Sequence, residues 1–201
     1  MSMRRAVVTR NTRETNITVR VNLDGKGTVH VRTGIAFLDH MLTLLGTHGA
    51  FDLSVKARGD LDVDVHHTNE DVGLTLGEAV LNALGTRQGI ARFGWAYVPM
   101  EEALARVVLD LSGRARLVLR DQRVPRKRLR GSGTAYQWED LEHWLESFTR
   151  TAKCTVHVDV FAGEDFHHTC EAIFKALGRS LSQAVQRDLR IRGIPSSKGR
   201  L

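Results

Sequence analysis

The sequence HHTNE at residues 66–70 recurs as HHTCE at residues 167–171. The offset is 167 − 66 = 101 residues, about half of the 201-residue chain. A second pair has nearly the same spacing, since FLDHML (37–42) resembles DLEHWL (140–145) and their histidines lie 143 − 40 = 103 residues apart. Repetition at a fixed distance indicates a duplicated structural unit. The spacing therefore predicts two related halves, about residues 1–92 and 93–190.

The pattern of apolar residues predicts strands and helices in the same order in both halves. In the first half, residues 15–21 alternate as a strand. The turn sequence DGKG (24–27) predicts a hairpin that returns residues 28–32 against that strand. Helical spacing follows in an apolar stripe made of Ile35, Leu38, Met41, Leu42 and Leu45.

A strand at residues 51–57 and a helix at 68–84 complete the first half. The second half repeats this order, with strands at 104–111, 116–119 and 155–161 and helices at 138–149 and 168–186. No linker rich in Pro, Gly or Ser separates the halves. We therefore expect one catalytic α+β domain over residues 1–201, made of βαβ-type halves with helices packed on mixed sheets, and an irregular tail at 191–201.

Composition indicates an ordinary globular protein, with 42% hydrophobic and 26% charged residues. No apolar run approaches the roughly 18 residues that span a membrane, and the N-terminus has no apolar signal core. Cys154 and Cys170 show no metal or redox spacing and are expected to be reduced thiols. The cytoplasm is the expected location.

The net charge of 29 − 23 = +6 favours an anionic partner of some kind. The densest basic segment, residues 120–130, contains no aromatic residue. It is compatible with a solvated loop or with a polyanion-binding patch. An RNA-binding module is therefore one alternative, although RNA-binding aromatic patterns are absent from the sequence.

Helical spacing predicts metal ligands within the repeated motifs. Residues four apart share a helix face, so His66 can bind a metal together with Glu70. Adjacent helical residues diverge by about 100°, so His67 should point away from that ion. Exchanging ligands between the repeats resolves this difficulty. One site would comprise His66, Glu70, His143 and His168, and the other His167, Glu171, His40 and His67.

Each predicted set of three histidines and one carboxylate leaves open positions on a six-coordinate metal. Nitrogen and oxygen donors suit Mn, Fe, Co, Ni or Zn. Asp64, Asp71 and Asp165 are possible orienting residues for the ligands. A dinuclear metal hydrolase such as a phosphatase is another alternative. The remaining histidines, His30, His48 and His157, are interpreted as structural.

Several motifs resemble one enzyme family over nearly the whole chain, from Arg13 to Leu201. They are TGIAFLDHML (33–42), GDLDVDVHHTNEDVGLTLGEAV (59–80), GIARFG (89–94), PMEEAL (99–104), LDLSGR (109–114), HHTCEAIFKAL (167–177) and PSSKG (195–199). Together they resemble the imidazoleglycerol-phosphate dehydratases of histidine biosynthesis. The chain departs from the family pattern at Ala36, Val65, Glu101, Asp165 and Ser197. None of these departures removes a predicted metal ligand.

The resemblance implies a fold like the second domain of ribosomal protein S5. It also implies a 24-subunit shell, two Mn ions per active site, and sites whose ligands come from more than one chain. A small phosphorylated imidazole is the implied substrate, with neither nucleic acid nor membrane as a partner.

The implied reaction converts D-erythro-imidazole glycerol phosphate to imidazole acetol phosphate by loss of water. It would pass through an imidazolate bound between the two Mn ions and a diazafulvene-like intermediate. Glu14 matches a catalytic carboxylate of the family, and Glu171 is a second acid/base candidate. The residues that match the family's phosphate site are Arg92, Arg114, Lys175, Ser196 and Lys198, of which the last two lie in the tail.

Overall fold

Both halves of the chain contain strands and helices in the order β-β-β-α-β-α, within residues 3–121 and 136–201 that the computed structural model describes. The first half comprises β1 (Arg5–Asn11), β2 (Thr15–Asn22), β3 (Val29–Arg32), α1 (Ala36–Gly49), β4 (Asp52–Gly59) and α2 (His66–Leu84). The second comprises β5 (Phe93–Met100), β6 (Ala103–Asp110), β7 (Arg116–Asp121), α3 (Trp138–Ala152), β8 (Thr155–Ala162) and α4 (Phe166–Val185). Most of the basic segment, residues 122–130, lies outside the described residues.

Each half forms a four-stranded mixed sheet of the same topology, with strand orders β1-β2-β4-β3 and β5-β6-β8-β7. The first three strands in each order pair antiparallel, and the last pair is parallel. Helices α1 and α3 provide the crossovers that parallel pairing requires. The predicted α+β class, the duplication and the mixed sheets are therefore confirmed.

The predicted hairpin at DGKG is wrong, because β3 does not pair with β2. Strand β3 pairs in parallel with β4, which lies between β2 and β3. The turn is instead anchored by Asp52, whose Oδ1 accepts the backbone N–H groups of Lys26 at 2.9 Å and Thr28 at 3.2 Å. The sequence analysis did not predict β5, which contains Pro99. Strand β5 is an edge strand, a position where proline is tolerated.

The helices pack across the halves, with α1 against α4 and α2 against α3. Glycine permits the close approach in both pairs. A Cβ at Gly178 would lie 2.5 Å from the Leu45 carbonyl oxygen, and one at Gly77 would lie 2.4 Å from the Phe148 carbonyl oxygen. Both distances are too short for any side chain, so these contacts fix which helices face each other.

The remaining expectations for the core hold where the structure describes them. The predicted apolar stripe of α1 is buried, with Ile35, Leu38, Met41, Leu42 and Leu45 at most 2% exposed. Cys154 and Cys170 are buried free thiols. No helix among the described residues combines the length and apolar character needed to cross a membrane. The segment after α4 contains only an isolated bridge, between Ile90 and Arg187, and otherwise runs as turns and bends.

Gly178→Ala is expected to lower the free energy of unfolding by about 1–3 kcal/mol, because the new methyl group would force α1 and α4 apart. Gly46→Ala is the matched control on α1, since its Cβ would mainly displace the side chain of Val29. Denaturant unfolding of both variants measures the difference. Equal losses in the two variants would contradict a special role for the α1–α4 contact.

Candidate metal centre

The α1–α4 contact brings together three predicted metal ligands. The Nε2 atoms of His40 on α1 and His167 on α4 lie 2.7 Å and 3.0 Å from Glu171 Oε1. Ligand atoms of all three side chains lie within 4.8 Å of one another, the one such group in the part of the chain that the structure describes. Imidazole nitrogen and carboxylate oxygen are donors that Mn, Fe, Co, Ni and Zn accept, so this donor set fits a divalent metal.

The Glu171 carboxylate is held ionised at the centre of this triad. Burial raises the pKa of Glu171, but hydrogen bonds from Lys175, His40 and His167 outweigh that effect and lower it to about 2. Lys175 Nζ donates to Oε2 at 2.6 Å, one helical turn after Glu171. The Glu171 carboxylate thus contacts the two predicted histidine ligands through Oε1 and the Lys175 cation through Oε2.

The α2–α3 contact assembles the second, looser triad. His66 Nε2 lies 3.7 Å from Glu70 Oε2 on the same helix. The ring centroids of His66 and His143 lie 5.0 Å apart across the two helices. Arg150 on α3 donates to Glu70 Oε1 at 2.8 Å and occupies one carboxylate oxygen. The sequence carries no signal for this contact, because the residues are 80 positions apart and meet only through helix packing.

The two remaining predicted ligands, His67 and His168, do not join either triad within the described chain. His67 Nδ1 lies 2.9 Å from Asp60 Oδ2 and 3.9 Å from Glu14 Oε2. His168 Nδ1 lies 2.9 Å from Glu102 Oε2. These carboxylates raise the pKa of both histidines. Three ligands of one predicted set, His40, His167 and Glu171, therefore converge in one chain, whereas the contacts of His66 with Glu70 and with His143 in the other set are looser. In both sets the fourth ligand points elsewhere, as the divergence of adjacent helical residues implied.

The orienting residues proposed from sequence have other contacts. Asp64 and Asp165 accept backbone N–H groups, from His66 at 2.8 Å and from His168 at 2.9 Å, and so act at the first turns of α2 and α4. Asp71 is buried and accepts from Thr15 Oγ1 at 2.6 Å and Arg10 Nε at 2.7 Å. Those bonds tie α2 to the β1–β2 hairpin.

The partners of the histidine rings are instead Asp60 and Glu102, which sequence reasoning missed. Asp60 directly follows β4, and Glu102 directly precedes β6. One signal was available for Glu102. It stands immediately before the second strand of the β5–β6 hairpin, as Glu14 stands immediately before the second strand of the β1–β2 hairpin.

The predicted phosphate-binding residues lie in four places: Arg92 before β5, Arg114 between β6 and β7, Lys175 on α4, and Ser196 and Lys198 in the tail. Arg92 forms two hydrogen bonds with the carboxylate of Asp110, at 2.7 and 3.1 Å, and donates to the Pro195 carbonyl at 2.8 Å. Arg92 is thereby linked to the tail, where the backbone N–H of Lys198 donates to Ser196 Oγ at 3.2 Å. Arg114 is exposed in the β6–β7 turn.

A cavity of about 570 Å³ adjoins Glu14 and is bordered by Arg13, Lys56 and Arg58. No histidine of either triad lines it. Within one chain, the catalytic candidate Glu14 therefore lies beside a basic cavity and His67, apart from the triads.

The duplicated α+β fold and the histidine–carboxylate triads between its paired helices place this chain in the class of candidate metal-binding proteins. Residues 33–181 match the family model of imidazoleglycerol-phosphate dehydratase (IGPD). An IGPD of Thermoanaerobacter pseudethanolicus is 50% identical, over 98% of this chain and 99% of that protein. One of Methanocella arvoryzae is 53% identical, over 98% and 99%. The chain therefore belongs to the imidazoleglycerol-phosphate dehydratase family, and the predicted enzyme class, a hydro-lyase, is confirmed.

Solved structures agree with this assignment. The IGPD of Staphylococcus aureus superposes with a TM-score of 0.79 and 33% identity, over 92% of this chain and 99% of that one. The IGPD of Pyrococcus furiosus in complex with (S)-C348 gives a TM-score of 0.81 and 31% identity, over 96% and 100%.

His167→Ala and His66→Ala should each lose the metal bound by their own triad and retain that of the other triad, because each removes one donor from one site. Metal content after dialysis, measured by inductively coupled plasma mass spectrometry, checks this. His157→Ala is the control, since His157 lies on β8 outside both triads. Wild-type content in both triad variants would refute the assignment.

Proposed function

We propose that this protein dehydrates D-erythro-imidazole glycerol phosphate to imidazole acetol phosphate in histidine biosynthesis, using two Mn ions per active site. Family membership over residues 33–181 supports the reaction. The observation that carries the metal requirement is the convergence of His40 and His167 on the ionised Glu171 carboxylate. The second triad, on α2 and α3, supports a second ion.

Bound metal would act as a Lewis acid toward the imidazole ring of the substrate, lowering the pKa of its ring N–H groups and orienting the ring. Three histidines and a carboxylate per ion leave room for such a ligand. Our proposed four-ligand sets remain those derived from the repeat, with His168 completing the triad of His66 and His67 completing the triad of His40. Because neither histidine reaches its triad within one chain, the proposal places the active site between subunits.

Glu14 is the better candidate for proton transfer to the leaving hydroxyl or from the adjacent carbon. Its side chain is 53% exposed and lies 3.9 Å from His67 Nδ1, so the carboxylate is accessible beside a proposed ligand. Glu171 is the second acid/base candidate. Its contacts with His40, His167 and Lys175 favour a primary role as metal ligand.

The substrate phosphate would be bound by Arg92, Arg114, Lys175, Ser196 and Lys198. Lys175 contacts Glu171 directly, so one face of α4 can span the metal and the phosphate. The bond from Arg92 to the Pro195 carbonyl links this cation to the tail at residues 191–201. Arginine supplies a planar fork that matches phosphate oxygens, and lysine supplies a compact charge.

Self-association into a 24-subunit shell is part of the proposal. Its support is an exposed aromatic face on the second sheet. Trp95 and Tyr97 on β5 are 59% and 55% exposed, and Phe161 on β8 is 47% exposed. Tyr97 stacks on Phe161 at 5.7 Å. Apolar surface of this kind marks protein contacts. We also expect the enzyme to work in the cytoplasm.

The test is conversion of imidazole glycerol phosphate by chelated protein to which Mn is returned. Imidazole acetol phosphate should form only after Mn addition, and His167→Ala and His66→Ala should abolish it, because each triad is needed to bind the ring. His157→Ala should retain turnover. Release of inorganic phosphate in place of the ketone would identify a hydrolase and refute the proposal.

Arg114→Ala should raise the KM by roughly 10- to 100-fold, the loss expected for a hydrogen bond to a charged group, and leave kcat largely unchanged. Steady-state kinetics measure both constants. Arg116→Ala removes an equally exposed cation two residues away and serves as the control. If both variants raise the KM equally, Arg114 acts only through net charge and does not bind the phosphate.

A further inference from the structure

The Glu102 carboxylate has a fixed orientation in the structure. Its Oε1 accepts the backbone N–H groups of Glu164 at 3.1 Å and Asp165 at 2.9 Å. Its Oε2 lies 2.9 Å from His168 Nδ1. An ionised carboxylate offers only acceptors, so Nδ1 of His168 must carry a proton in this contact. The Nε2 atom then keeps its lone pair when the ring is neutral.

Binding of a metal ion through Nε2 of His168 requires this proton arrangement. A neutral imidazole binds metal through the nitrogen that has no proton, and the hydrogen bond at the other nitrogen selects which one that is. Because Glu102 is held at Oε1 by two backbone donors, it cannot rotate away from His168 without losing them. The ring therefore has one tautomer available for ligation.

The equivalent hairpin turn in the first half has a different arrangement. Glu14 precedes β2 as Glu102 precedes β6, but no described hydrogen bond holds its carboxylate, and it lies 3.9 Å from His67 Nδ1. Asp60 takes the close position beside His67, at 2.9 Å. The other oxygen of Asp60 has no partner among the described residues. The duplicated halves thus orient their paired histidines through carboxylates from different positions.

We propose that Glu102 is a positioning residue that holds His168 in the Nδ1–H tautomer, so that its Nε2 can bind a metal ion. This inference rests on the proposed role of His168 as a ligand. It gives the β5–β6 turn a role in metal affinity, although no proposed metal ligand lies in that turn.

Glu102→Gln separates positioning from structural support. The glutamine oxygen can still accept the two backbone N–H groups, and its NH₂ group then faces His168 Nδ1. Nδ1 would have to become an acceptor, which moves the ring proton to Nε2, as an amide in place of a carboxylate does beside a histidine elsewhere. We expect Mn affinity to fall roughly 10- to 100-fold, the usual effect of losing such a partner.

Two further variants provide the comparison. Glu102→Ala removes the contact without imposing a tautomer, so it should weaken Mn binding no more than Glu102→Gln does. A merely structural role predicts the reverse order, since glutamine retains the backbone acceptor. Glu101→Gln is the matched control. It removes the same charge from the exposed neighbouring position and leaves the contact between Glu102 and His168 in place, so Mn affinity should change little.

Two measurements decide the matter. Electron paramagnetic resonance titration with Mn gives the affinity of metal-stripped wild type and the three variants. Nitrogen-15 NMR of metal-free, histidine-labelled protein gives the tautomer, with His168→Gln identifying the signal. An Nε2–H tautomer of His168 in the wild type would overturn the inference even if no variant folds. So would unchanged affinity in Glu102→Gln. Both readouts are independent of turnover, so failure of the dehydratase assay leaves this test intact.

Discussion

The close contact between helices of different halves is the constraint on which the candidate site depends. Gly178 on α4 meets the backbone of α1, and Gly77 on α2 meets the backbone of α3, at distances where no side chain fits. Helix ends that are far apart in sequence are thereby held together. His40 reaches Glu171 across 131 positions, and His143 reaches His66 in the same way. Each half alone would supply an incomplete set of the predicted ligands.

Carboxylates set the chemical state of the histidines around this framework. Glu171 contacts Nε2 of two histidines, the nitrogens through which a metal would bind. Asp60 and Glu102 contact Nδ1 of His67 and His168 and leave Nε2 free. The first arrangement gathers donors around a point inside the chain, and in our proposal the second prepares donors for a site shared with a neighbouring subunit. Three of the four histidines in the HH motifs have one of these two kinds of contact. The fourth, His66, has a looser contact with Glu70, at 3.7 Å.

The duplication has been retained in topology and has diverged in chemistry. Both sheets have the same strand order, yet the two triads are paired with different cations. Lys175 follows Glu171 on its own helix, whereas Arg150 approaches Glu70 from the neighbouring helix. The hairpin turns have diverged in the same manner, with Glu14 accessible and Glu102 bound. Both halves therefore place a carboxylate beside a histidine, but the first half also leaves the Glu14 carboxylate exposed.

The sequence by itself determined the duplication and the α+β class and supplied the candidate metal ligands, because repeats, apolar periodicity and four-residue helical spacing are local signals. The same spacing correctly predicted that His67 and His168 would diverge from their neighbours. Only the tertiary structure decided the pairing of β3 with β4, the strand at β5, and the partners of the histidine rings. Those features depend on which helices approach closely and on which turns lie beside them, and such long-range contacts leave no periodic trace in the chain.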